Sequence, residues 1–282
     1  VDRLEATLRC ANISFKETHV EKPLHISDTV SALPSYVTIP GLGLLPVNAY
    51  VVKSTAPVLI DTGLPADTTE FMDTLRAVID PRDLRWIWLT HVDQDHIGSL
   101  RSLLDEAPRA KVVTHFLGLG KLGLMAQFPP QRIHLLNPGQ SIDAGDRTLF
   151  AVAPPTYDAP ETMGVYDEKS RAFFSSDCFG AVLQRPAEEA AAVEPDALQE
   201  GQMLWATIDS PWLRHTSESW LAGVLNELRR MEPKAILSSH SPAAFGMTER
   251  FAGALAAARS AAPFIAPDQL RFEAMLASLA VA

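Results

Sequence analysis

The sequence predicts a layered α/β protein built on mixed sheets. Runs with strand-like spacing alternate with segments of helical spacing along most of the chain, the pattern that stacks helices on sheets. In both the early and the late clusters the strand runs stand only a hairpin's length apart, so neither sheet is purely parallel. With 282 residues, 47% of them hydrophobic, the chain is long enough for one large domain or two small ones.

Residues 1–30 are mixed in character and no element is assigned to them. Tyr36–Ile39, Asn48–Val52 and Pro57–Ile60 read as strands, the last closed by a turn at Asp61-Thr-Gly63. Thr68–Ile79 has helical spacing through Phe71, Leu75 and Val78. Leu84–Thr90 is an apolar run that reads as a buried strand, and a helix follows from Ile97 to Glu106. A strand at Ala110–Thr114 precedes a helical segment over Phe116–Gln127. Arg132–Leu135, Leu149–Val152, Met163–Tyr166 and Ala172–Ser175 read as strands. Residues 186–203 are acidic and read as a surface insertion, a solvated loop or a short helix. Ser217–Met231 is an amphipathic helix with Trp220, Val224, Leu225 and Leu228 on one side. A short strand, Ala235–Leu237, ends in Ser238-Ser-His240, and helices at Thr248–Ala261 and Pro267–Leu279 follow.

Composition narrows the function classes. Charged residues make up 21% of the chain, near the average for globular proteins. The net charge of −10 and the lack of a basic stripe argue against nucleic acid as a partner. No apolar run approaches the ~20 residues of a membrane span, so no membrane partner is expected. No secretory signal pattern opens the sequence. The two cysteines, Cys10 and Cys178, make no disulfide framework, and a reducing cytoplasm is the expected compartment.

The chemistry concentrates in Leu89-Thr-His-Val-Asp-Gln-Asp-His-Ile-Gly98, where four potential metal ligands, His91, Asp93, Asp95 and His96, fall within six residues. They occupy a turn between a strand end and a helix start, which can aim several donors at one point. Asp177, near the end of the run Arg171–Gly180, can bridge two metals through its two oxygens. His240 follows Ala235-Ile-Leu-Ser-Ser in the same manner. Asp61, after Val58-Leu-Ile, is suited to accept the far N–H of a ligating histidine.

These residues together resemble the metallo-β-lactamase superfamily, whose usual motif is His-x-His-x-Asp-His, over roughly residues 35–245. The resemblance implies one such domain over 1–282, with C-terminal helices over 246–282. It implies an αββα four-layer sandwich of two mixed sheets, with metals at one edge. A narrower similarity is to flavodiiron proteins and oxygen-binding diiron proteins, which carry His-x-Glu-x-Asp-His; Asp93 fits that acidic position one methylene shorter. Asn48-Ala-Tyr50, Asp95-His-Ile-Gly-Ser-Leu100 and Phe174-Ser-Ser-Asp-Cys-Phe-Gly180 agree with it. That family places a histidine nineteen residues before the bridging aspartate, and the same count from Asp177 lands on Asp158, in Asp158-Ala-Pro-Glu-Thr-Met163. By this resemblance the first metal position takes His91, Asp93, Asp158 and bridging Asp177. The second takes Asp95, Asp177 and His240, with His96. Asp95, and Tyr157 next to Asp158, are the candidate catalytic residues.

Charge separates the two readings of this resemblance. A hydrolase site with only the Asp95 and Asp177 equivalents keeps roughly +2 of charge on two divalent ions, enough to acidify water and polarise a carbonyl. Asp93 and Asp158 bring the carboxylates to four, which neutralises two divalent ions and favours harder metals such as iron or manganese. The expected cofactor is therefore two metal ions, iron first, with manganese or zinc as alternatives. The expected activity is reaction with, or binding of, O2, NO or a peroxide. The stretch after His240 is too short for the flavodoxin-like FMN domain of flavodiiron enzymes, and no Gly-rich phosphate loop is seen, so electrons would come from a separate donor. A metal-dependent hydrolase of an ester, lactone or thioester is the alternative, and a non-enzymatic oxygen or NO sensor is a third reading. A homodimer is expected from the relatives.

Other residues carry structural expectations. Cys178 would point to the opposite face from Asp177 and pack. Trp86, Trp88, Trp205, Trp212 and Trp220 are core or interface material. Pro154-Pro-Thr-Tyr157 and Ala159-Pro160 shape the ligand loop, and Leu117–Met125 with Phe128 packs into the core rather than lining an entrance. Among His19, His25, His115, His134 and His215, His115 is the one placed by its strand to approach the site.

Overall fold

Period-two alternation divides the apolar strand residues between two faces, and two sheets meet through the inner ones. The computed structural model describes residues 18–279. The first sheet contains β1 (Thr18–Val20), β2 (Leu24–Ser27), β3 (Val30–Ile39), β4 (Gly43–Val52), β5 (Val58–Ile60), β6 (Trp86–Trp88), β7 (Lys111–Thr114) and β8 (Ile133–Leu135). Its order is β1-β3-β4-β5-β6-β7-β8, with β2 against β3. Pairing is antiparallel through β4–β5 and parallel from β5 to β8. The second sheet contains β9 (Ser141–Asp143), β10 (Thr148–Val152), β11 (Gly164–Asp167), β12 (Ala172–Phe174), β13 (Ala235–Leu237) and β14 (Ala244–Phe245), in the order β14-β13-β12-β11-β10-β9. There only β12 and β13 run parallel.

Helices cover the outer faces. On the first sheet lie α1 (Thr68–Arg76), α2 (Gln94–Ile97), α3 (Leu100–Glu106) and α4 (Phe116–Met125). On the second lie α5 (Pro195–Asp209), α6 (Glu218–Met231) and α7 (Thr248–Ala258); α8 (Gln269–Leu279) follows. Val58, Ile60 and Trp88 of one sheet pack with Ala172, Phe174 and Leu237 of the other. One residue along each strand, Leu59 and Ile87 face α1 and α3, while Phe173 and Ile236 face α6 and α7. Burying a side chain such as Phe174 contributes about 1.5–3 kcal/mol. The result is the expected αββα sandwich of two mixed sheets. Among the described residues no helix is long and apolar enough to cross a membrane.

Several elements differ from the sequence reading. β1 and β2 occupy part of the unassigned N-terminal stretch, and the short edge strands β9 and β14 carry too little pattern to read. The acidic 186–203 stretch is not a solvated loop: α5 runs fifteen residues and buries Leu198, Gln202, Trp205 and Ala206. Its charges decorate the outer side of a packed helix. The helix expected from Ile97 starts earlier, at Gln94, and breaks at Gly98. A Cβ on Gly98 would stand 2.2 Å from the backbone of Leu64 and Pro65, so this position brings the motif turn against the Asp61–Gly63 turn.

The expectation for α4 is also corrected. Gly118 and Leu122 are buried, but Phe116, Leu117, Leu124 and Met125 are exposed, because the helix touches the sheet along a narrow stripe. On α6, Leu221 rather than Trp220 completes the buried stripe with Leu225 and Leu228, and Trp220 is exposed. Cys10 lies outside the described residues.

Candidate metal centre

The motif turn begins where β6 ends. Leu89 N donates to Val113 O, and the Thr90 backbone N–H and hydroxyl donate to the Asp61 carboxylate, both at 2.8 Å. Asp61 stands at φ 59°, a left-handed conformation rare for a non-glycine residue and found where function constrains the backbone. His96, on α2, donates Nδ1–H to Asp61 Oδ2 at 2.8 Å, which leaves Nε2 to face the cluster. Asp61 thus faces the far ring nitrogen of a motif histidine.

Asp177 does not end an extended strand. Residues 176–179 form a turn, with Ser176 at φ 55° and Phe179 at φ 69°. Cys178 on this turn is buried in the α5–α7 core as a packing residue, and burial pushes its thiol up to about 12. The turn aims both Asp177 oxygens at histidines. Oδ1 lies 3.1 Å from His96 Nε2 and 3.3 Å from His240 Nε2, and Oδ2 lies 3.6 Å from His91 Nε2.

His240 is set by the loop after β13. Its Nδ1 is 2.7 Å from Pro46 O, so Nε2 faces Asp95 Oδ2 at 3.4 Å. The Asn48 amide holds this loop by donating to Ser238 O and Ser241 O, and the Tyr50 hydroxyl donates to Ser238 O at 2.7 Å. The Asn48-Ala-Tyr50 string is therefore a clamp for the His240 loop. Gly180 admits the Trp205 ring, where a Cβ would lie 2.5 Å from the indole and 2.7 Å from His240 Cβ. Trp205 Nε1 donates to Asp177 O, and its ring faces His240 at 4.7 Å.

Asp158 is an exposed residue on the largely buried loop after β10, with Oδ1 3.9 Å from His91 Nε2. Four overlapping triads have ligand atoms within 4.8 Å of one another: His91, His96 and Asp177; Asp95, His96 and His240; His91, Asp93 and Asp158; and Asp158, Asp177 and Asp209. Every residue expected to ligate falls in at least one of them. His91 Nε2, His96 Nε2 and Asp177 Oδ1 are buried, and despite the short histidine–carboxylate separations none of them makes an aligned hydrogen bond. Orphaned donors and acceptors pointing at one space are what an ion would satisfy, so these residues fit a metal centre.

The electrostatics follow from crowding. Burial alone would lower His96, but Asp95, Asp177 and Asp61 outweigh it and raise the imidazole well above 6.5. His240 is raised to about 9 against the same burial, chiefly by Asp177. Burial opposes ionisation of Asp177, yet His91, His240 and His96 hold it well below the usual carboxylate range. Burial raises Asp158, with Asp177 and Asp93 adding repulsion against the pull of His91. Protons on the histidines stand where metal cations fit, so metal must displace them.

Tyr157 is partly exposed and its ring lies 5.4 Å from that of Trp212, which donates Nε1–H to Tyr157 O. His115 does not join the cluster: it caps α4 through Leu117 N and pairs with Asn137. From α4, Lys121 reaches the buried Glu161 at 2.5 Å. Burial opposes the charge on Lys121, and Glu161, with Asp93 and Asp158 farther off, holds it in place.

Asp209, at the end of α5, is the residue that sequence reasoning missed. Its signal was the helical period: Leu198, Gln202, Trp205 and Asp209 recur on the buried stripe, and an acid there is anomalous. Burial and the neighbouring Asp177 push its carboxyl up to about 8.

The family described as ODP family beta lactamase matches residues 45–241. An uncharacterized protein of Methanocaldococcus jannaschii is 32% identical over 133 residues, 47% of this chain and 34% of that protein. The anaerobic nitric oxide reductase flavorubredoxin of Klebsiella pneumoniae is 29% identical over 134 residues, 47% of this chain and 28% of that protein. The matched stretch thus spans about a third of these curated relatives. Rubredoxin oxygen:oxidoreductase from Desulfovibrio gigas shares the fold at TM-score 0.73 and 17% identity, over 84% of this chain and 61% of that one. A flavoprotein from Thermotoga maritima does so at TM-score 0.72 and 18% identity, over 85% and 61%.

Proposed function

Because the chain belongs to the ODP family beta lactamases and shares its fold with flavodiiron proteins, we propose that it holds two metal ions and reacts with O2, NO or a related small oxidant. The observation that carries this reading is the convergence of the unpartnered His91 Nε2, His96 Nε2 and Asp177 Oδ1 among the carboxylates of Asp93, Asp95 and Asp158. In this reading Asp177 bridges. His91, Asp93 and Asp158 complete one position, and Asp95, His96 and His240 the other. When bound, a carboxylate-rich metal pair supplies redox chemistry toward small oxidants in preference to strong Lewis acidity.

The chain's own residues orient and shield. Asp61 and the Pro46 carbonyl fix the tautomers of His96 and His240, so that each presents Nε2. Trp205 seats Asp177 and closes the side of His240 against water. Lys121, paired with the buried Glu161, places a cation where its field reaches Asp93 and Asp158 and moderates the local negative charge. Electrons come from a separate donor.

The test combines metal analysis, an optical spectrum and oxidant uptake. Iron or manganese near two per chain, with O2 or NO consumption under a chemical reductant, is the expected result. Two zinc ions with ester or lactone turnover and no oxidant uptake would replace this reading with hydrolysis.

A further inference from the structure

We propose that Asp209, contributed by α5 from outside the motif, is a ligand of the metal position formed by His91, Asp158 and Asp177. This rests on the dinuclear reading and enlarges its first position by one carboxylate. One oxygen each of Asp158, Asp177 and Asp209 lies within 4.8 Å of the others. An unsatisfied donor stands beside two members of this triad: His91 Nε2 is buried without a hydrogen-bond partner, 3.9 Å from Asp158 Oδ1 and 3.6 Å from Asp177 Oδ2.

Asp209 has little else to hold it. Its Oδ2 accepts a 2.7 Å hydrogen bond from the Ser210 hydroxyl, and it takes part in no ion pair among the described residues. Like charges this close in a partly buried site repel, and the arrangement is favourable only when a cation sits among them. One helical face back, Gln202 lines a small cavity together with Asp177 and Asp209, with room for about one water molecule. Gln202 is 4% exposed, and neither its amide nitrogen nor its oxygen has a partner. A water bonded to Gln202 in that cavity would orient the Asp209 oxygen turned away from the metal, the kind of support that ligating carboxylates receive.

Asp209 also raises the charge count. Asp93, Asp95, Asp158, Asp177 and Asp209 make five carboxylates against the four positive charges of two divalent ions. The surplus favours a centre that includes a trivalent ion, and hence iron or manganese over zinc.

The test uses the full chain with Asp209→Asn and Asp209→Ala, titrated anaerobically with Mn2+ and Fe2+ against a chelator. Melting of the metal-free proteins is followed in parallel. The expected result is that one metal equivalent binds as in the wild type while the other weakens about tenfold or more. Metal-free Asp209→Asn should melt no lower than the wild type, because a repelled acid has been removed. Two equivalents bound at wild-type affinity by both variants would overturn the assignment and leave the dinuclear reading intact. A wild type that binds no second equivalent would defeat both. Variants that lose binding together with metal-free stability would mark Asp209 as a structural residue and also overturn the assignment.

Discussion

The Asp177 carboxylate has one oxygen facing His96 and His240 and the other facing His91. Asp177→Ala should therefore lose metal from both positions, and mass spectrometric metal analysis should find well under one ion per chain. Full metal content in that variant would show that Asp177 is no bridge. Asp93→His and Asp158→His each remove a carboxylate and add a neutral donor, so competition between Zn2+ and Fe2+ should move toward zinc; unchanged selectivity would refute the charge argument. Proton linkage gives a third prediction. His240, raised to about 9 from an ordinary 6.5, contributes stability to the metal-free protein that is complete below pH 6.5 and lost as pH rises through 9. Asp209, raised to about 8, acts in the same direction, since the folded state again binds the extra proton. The metal-free melting temperature should fall from pH 6.5 to 9, while metal affinity climbs as the imidazoles lose their protons. A flat melting profile over that window would contradict both assignments.

At the level of elements, the site is a meeting of turns. The motif turn after β6, the Asp61–Gly63 turn after β5, the 176–179 turn after β12 and the loop after β13 gather at one edge of the sandwich. Gly98 sets how closely the first two approach. Gly98→Ala should destabilise the fold by about 1–3 kcal/mol, read as a lower urea midpoint, because the new methyl meets backbone rather than a movable side chain. The same level shows where pattern reading succeeds and where it fails. Strands such as β5, β6 and β12 are legible because each alternates between two buried faces of different partners. α5 is only half legible, as a loop or a short helix, because its acidic outer side masks a stripe of Leu198, Gln202 and Trp205 that period counting exposes.

For the molecule as a whole, stability resides between the sheets and under the helices. Phe174→Ala, in the layer shared by both sheets, should cost about 3–5 kcal/mol. Leu124→Ser, on the exposed side of α4, should change stability by no more than about 0.5 kcal/mol. Chemical denaturation of the two variants checks the contrast, and equal losses would mean that α4 packs more deeply than its exposure indicates. The net charge of −10 belongs partly to the centre, where acids gather from four separated stretches of chain.

The motif residues 91–96, Asp177 and His240 were readable in sequence because each follows an apolar strand run, and a strand end is a defined place in a layered fold. Asp158 was readable only through its spacing from Asp177 in a resembling family. Its approach to His91 is a fact of packing, since loop length does not determine where a loop tip lands. Asp209 stands thirty-two residues beyond Asp177 on a different layer, and no local pattern links them. Local spacing therefore determined most of the elements and most of the candidate donors, while the αββα layering was implied by the family resemblance. Tertiary structure decided which acids share one space, because that depends on how α5 packs across the second sheet.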